Sequence, residues 1–88
     1  MPTISVFFGI IVQMYWRDHS PPHIHVWYQG KEALVGIETG GVIAGVLPKA
    51  AARLVRDWVR LRKRELMVNW ELGRRRQPFQ SVPGADVE

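Results

Sequence analysis

The chain has 88 residues, a net charge of +4, 47% apolar residues and no cysteine. That length allows one domain with a modest core. The missing cysteines exclude disulfides, thiolate metal sites and a cysteine nucleophile, and they favour the cytoplasm over a secreted setting, where so small a domain would lean on disulfides.

From Ile4 to Trp16 every even position is apolar, while the odd positions are mixed. Period two over this length predicts one long strand, bent at Gly9, with its even face on the core. The run Ile4–Val12 is too short to cross a bilayer. It also lacks the basic flank and small-residue cleavage site of a signal peptide, so no membrane role is expected.

Asp18-His19-Ser20-Pro21-Pro22 must end the strand, because two prolines fix φ and remove two donors. Alternation resumes at residues 23–29, with Ile24, Val26 and Tyr28 on one face and His23, His25 and Trp27 on the other. Gln29-Gly30 predicts a hairpin turn into a strand near Glu32–Glu38, and Thr39-Gly40-Gly41 a second turn into a short strand around Val42–Leu47.

Pro48 suits the first turn of a helix. Ala51, Leu54, Val55, Trp58 and Leu61 then follow helical spacing, and Leu66 and Trp70 carry the stripe to about Arg76, where Gln77-Pro78 ends it. The expected order is β-β-β-β-α-α. The fold class is α+β: a small antiparallel sheet of three to four N-terminal strands packed against two C-terminal helices. One domain is expected over residues 1–80, with a poorly ordered tail over 81–88.

Two constellations could carry chemistry. On neighbouring antiparallel strands the odd faces coincide, so His23 and His25 would share a side with Tyr15 and Arg17, with Asp18 and His19 in the loop above. His19, His23, His25, Asp18 and Tyr15 are therefore the candidate catalytic residues. Histidine titrates near neutrality and could move protons, while Tyr15 or Arg17 stabilises an anion. No cofactor is required by that chemistry. The alternative is a divalent metal on His19, His23 and His25. The competing structural reading is that these histidines only bond to backbone around the prolines.

The second constellation is charge. Residues 49–76 hold ten of the twelve Lys and Arg against three acids, which points to an acidic partner. Arg53, Arg56, Arg60 and Lys63 form one stripe bordered by Arg64. With Arg17 they are candidate contacts to RNA or DNA phosphates. A solvated helix face is the plain alternative.

Phe8-Gly9-Ile10, Met14-Tyr15, Asp18-His19-Ser20-Pro21-Pro22-His23-Ile24-His25 and Tyr28-Gln29-Gly30 resemble the bacterial family called domain of unknown function 4160. Leu47-Pro48, the Trp58 helix and Asn69-Trp70 with its basic sequel agree, so the resemblance covers roughly residues 1–80. Asp18, His19, Pro21, Pro22, His23 and His25 match its motif; Val26 departs from it, where relatives tend to carry a small residue. The resemblance implies a short cytoplasmic bacterial protein, often encoded beside a second small family, domain of unknown function 2442. Such pairs look like toxin–antitoxin modules or small regulators. No catalytic role carries over with it.

The leading expectation is thus a toxin–antitoxin-type component or regulator that binds nucleic acid, cleaving RNA through the histidine cluster in its sharpest form. The alternatives are a non-enzymatic module binding an acidic partner protein, namely a cognate small protein encoded nearby, and a histidine metal-binding protein.

Overall fold

The chain turns back on itself far sooner than its alternation suggests. In the computed structural model, which describes residues 2–87, Phe8 and Gly9 both take positive φ, 50° and 76°. A two-residue turn with both centres left-handed matches the natural twist of a hairpin. It joins β1 (Thr3–Phe7) to β2 (Ile10–Gln13), so the expected single strand is a hairpin and the strand count is five, not three to four. The expected turn at Gln29-Gly30 has the same geometry, φ 50° and 77°, and joins β3 (His23–Tyr28) to β4 (Lys31–Gly36). The Thr39-Gly40-Gly41 turn leads to β5 (Val42–Gly45). All five strands are antiparallel neighbours in chain order.

Two helices follow, α1 (Lys49–Leu61) with Pro48 at its N-cap and α2 (Lys63–Arg74). Arg62 leaves helical geometry (φ −102°, ψ 17°) and separates them. The even face of β2 and β3 is buried as expected: Ile10, Val12, Ile24 and Val26, joined by Ala33 and Val35 of β4. A shift in register between Thr3 and Ser5 reverses the alternation in β1, so Ile4 and Phe7 both reach the core while Val6 is exposed. Ala51, Val55, Trp58 and Val59 of α1, with Leu66 and Trp70 of α2, cover that face. Leu61, expected on the apolar stripe, is exposed; Val59 fills that place in the core. The helices cover one face of the sheet, and the odd face carries the histidines.

Residues 81–87, within the expected loose tail, pack on the domain. Val82 N–H donates to the Ile4 carbonyl (2.8 Å), Trp58 Nε1 donates to the Pro83 carbonyl (2.8 Å), and Val82 is buried. Glu88, the last residue of that tail, lies outside the described residues. No helix among them is long and apolar enough to cross a membrane.

Candidate metal centre

The pairing of β2 with β3 sets Gln13 opposite His25 and Ile11 opposite Trp27. The odd faces therefore do coincide, and they bring His23, His25 and Tyr15 together. The connection from β2 to β3 is tied down at several points. Arg17 takes a left-handed φ of 55°, and its N–H donates to the Gly73 carbonyl at the end of α2 (3.2 Å). Trp16 Nε1 donates to the Gln77 carbonyl (2.9 Å), and its ring stacks on Phe79. The Ile37 N–H donates to the Pro22 carbonyl (3.0 Å).

Within this frame Asp18 reaches both histidines. Its Oδ2 lies 3.0 Å from His23 Nε2 and 2.8 Å from His25 Nε2. Ligand atoms of Asp18, His23 and His25 all fall within 4.8 Å of one another. His19 is exposed and lies outside this group; only its backbone N–H joins in, donating to Asp18 Oδ1 (2.9 Å). The candidate metal set of His19, His23 and His25 is corrected accordingly: Asp18 takes the place of His19.

The other nitrogen of each ring is also engaged. His23 Nδ1 donates to the Pro21 carbonyl (2.7 Å), and His25 Nδ1 stands 3.1 Å from Glu32 Oε2. A carbonyl or an ionised carboxylate only accepts, and a neutral imidazole has only one N–H. Both nitrogens of both rings thus face acceptors. Without a cation, each ring needs two protons to satisfy its contacts, and the two buried rings stand 5.1 Å apart. A divalent cation held by Asp18, His23 and His25 would remove that conflict, and each Nδ1 would keep its proton for Pro21 or Glu32.

The surroundings have a consistent electrostatic sense. Burial would raise the Asp18 pKa, but it is outweighed by the His25 hydrogen bond, the His19 N–H and the charge on both histidines. The net effect lowers it from the ordinary 3.8. The Tyr15 ring lies flat on His25, with centroids 3.9 Å apart and planes 16° apart. Partial burial, then the negative charges of Glu32 and Asp18, raise the Tyr15 phenol. Trp70 closes the other side, 5.4 Å from His23. His23 and His25 are 6% and 8% exposed. A cleft of about 300 Å³ lined by Leu34, Ala44 and Gly45 opens beside His25 and Glu32.

Residues 9–71 match the model of the family described as Domain of unknown function (DUF4160). The chain belongs to this family. The matched stretch of the DUF4160 domain holds Asp18, His23, His25 and Glu32 and all of α1. No curated protein and no solved structure matches the chain.

The basic residues of this DUF4160 domain do not form the single stripe expected. The break at Arg62 puts Lys63 and Arg64 on a different helix from Arg53, Arg56 and Arg60. Lys63 pairs with Glu38 (3.0 Å), and Arg60 Nε donates to the Thr39 carbonyl (3.2 Å). Arg64 borders an apolar groove on α2, while Arg17 is exposed in the β2–β3 connection. Two participants escaped the sequence reading: Glu32, and Trp70 as a wall of the cluster. For Glu32 a signal was present. A two-residue turn at Gln29-Gly30 pairs Trp27 with Glu32, which sets Glu32 diagonally across from His25.

Proposed function

We propose that this DUF4160 domain binds a divalent transition-metal ion through Asp18 Oδ2, His23 Nε2 and His25 Nε2, and that the ion serves hydrolysis. The observation that carries this reading is that each of the two imidazoles has Nδ1 on an oxygen acceptor and Nε2 on the same Asp18 oxygen. Ligating histidines are typically held this way, with the far nitrogen on a carbonyl or carboxylate that fixes tautomer and orientation. The spacing fits as well. Two ligands on one tetrahedral zinc stand roughly 3.3 Å apart, given metal–ligand bonds near 2.0–2.2 Å. The observed 2.8 and 3.0 Å need to open by only a few tenths.

Three protein ligands of this type leave a position for water, as in hydrolytic zinc sites, where the ion acidifies the bound water. A two-histidine, one-carboxylate set also suits iron or manganese. Under this reading Glu32 and Pro21 orient the ligands, Tyr15 shields His25, and the cleft beside Glu32 admits a substrate. Phosphodiester cleavage, including RNA cleavage by a toxin–antitoxin component, fits such a site. Metal-free acid–base catalysis by His23 or His25 has less support, because neither ring has a nitrogen left over.

The test is to strip the protein with chelator, reload with zinc and measure bound metal by mass spectrometry. Stoichiometric zinc is expected for the wild type, with loss in Asp18→Asn and His25→Ala. Retention of stoichiometric zinc by both variants, or none in the wild type, overturns the assignment.

A second reading is favoured by the apolar groove of about 420 Å³ on α2, lined by Met67, Val68 and Leu72 with Arg64, Glu71 and Arg75 at its rim. It suits a partner protein with an apolar centre and an acidic rim, such as a cognate small protein encoded nearby. Copurification with such a partner, released by about 0.5 M salt where surface charges are screened, supports it.

A further inference from the structure

We propose that the outer face of α1 is a binding surface for nucleic-acid backbone phosphates, centred on a cleft between this helix and the β4–β5 turn. The cleft measures about 280 Å³ and is lined by Gly40 and Gly41 on one side and by Lys49, Arg53 and Arg56 on the other. Three cations and no carboxylate border it.

The charges here are less neutralised than those at the α1–α2 junction and at Arg74. Lys63, Arg62 and Arg74 each pair with a glutamate. Among the described residues no carboxylate lies within 4.0 Å of Lys49 or Arg53, and Arg56 meets only the exposed Asp57 beside it. Exposed pairs of that kind contribute little. The positive charge is therefore available to a ligand.

The wall is built rather than incidental. Arg60 Nε donates to the Thr39 carbonyl, clamping the turn onto the helix. Gly40 sits so close to α1 that a Cβ there would lie 2.8 Å from the Arg56 carbonyl oxygen. A rigid rim holds the cations in place before a ligand arrives, which lowers the ordering cost of binding.

The length of the stripe selects a polyanion over a single phosphate. Lys49, Arg53, Arg56 and Arg60 share one helical face over twelve residues, a rise of roughly 16 Å. Phosphates recur about every 3.4 Å along the axis of a duplex strand. The face therefore spans several backbone phosphates in succession, and it contains no aromatic ring for reading bases. Recognition is through the backbone, without sequence preference.

This surface stands independently of the metal reading, and its test separates the two. A labelled single-stranded oligonucleotide is titrated by fluorescence anisotropy at several salt concentrations. For the exposed pair Lys49→Gln/Arg53→Gln, Kd should rise at least about tenfold, and the salt slope should fall by about 1.4, two contacts at about 0.7 each on single strands. Arg74→Gln/Arg75→Gln, at the far end of α2, should change Kd less than about twofold. Thermal melts confirm that the variants fold. Equal loss in both double variants means diffuse attraction and overturns the proposal, as does wild-type affinity in Lys49→Gln/Arg53→Gln. Polyglutamate that competes as well as the oligonucleotide at equal charge also overturns it, and points to an acidic protein.

Discussion

Asp18 is the residue on which both histidines converge, and its ionisation links the cluster to stability. Its folded pKa lies below the ordinary 3.8. A depressed carboxylate contributes its full stabilisation above the unfolded value and loses it as pH falls through the folded one. Metal-free protein should therefore lose thermal stability on acidification from 3.8 downward, and Asp18→Asn should flatten that limb. Melts recorded across the acid range check this; an unchanged limb in the variant refutes it. Glu32 is tested differently. Glu32→Gln keeps the size of the side chain and removes its charge, so zinc affinity should drop about 10–100-fold with stoichiometry intact, as read by competition with a chromogenic chelator. The shared side of His23 and His25 was legible from period two. The exchange of His19 for Asp18 was not, because it depends on Arg17 adopting a left-handed backbone that no local signal announces in a non-glycine residue.

At the level of elements, the hairpin at Phe8-Gly9 was hidden by its own side chains. Val6 and Phe8 are exposed yet apolar, so the alternation runs through the turn without a break. The Gln29-Gly30 hairpin has the same backbone geometry and was legible because a polar residue precedes its glycine. The helices were legible in place and length, but not the junction at Arg62, which lacks a proline or glycine. Asn69 is the element-level surprise. It is fully buried on α2; its Nδ2 donates to the Gln80 carbonyl, and the Gln80 N–H donates to its Oδ1, both at 2.8 Å. Asn69→Ala leaves two backbone groups without partners and should cost about 1–3 kcal/mol in urea denaturation. Amides of residues 79–84 should then exchange faster, because local opening of that segment becomes easier. A stability change near zero would mean that water replaces the asparagine at no cost.

Over the whole molecule, the α+β class, the placement of the strands before the two helices and the core face of β2 and β3 followed from apolar spacing, while the number of strands did not. The docking of residues 81–87 did not either. Pro83 and Gly84 read locally as a loose end, and the bonds that hold residues 80–83 come from residues distant in sequence: Ile4, Trp58 and Asn69. That closure sets the size of the folding unit. A fragment trimmed to residues 9–71, the limits of the family match, would keep all three proposed ligands. It would lose β1, and with it the Phe7 ring 4.9 Å from Trp58, together with the peptide segment that runs along Ile4. Such a fragment should melt without a cooperative transition and bind hydrophobic dye, in contrast to the full chain, as seen by calorimetry and fluorescence. Expression of isolated DUF4160 segments cut at those limits would then report on broken hydrophobic contacts rather than on the chemistry of the cluster.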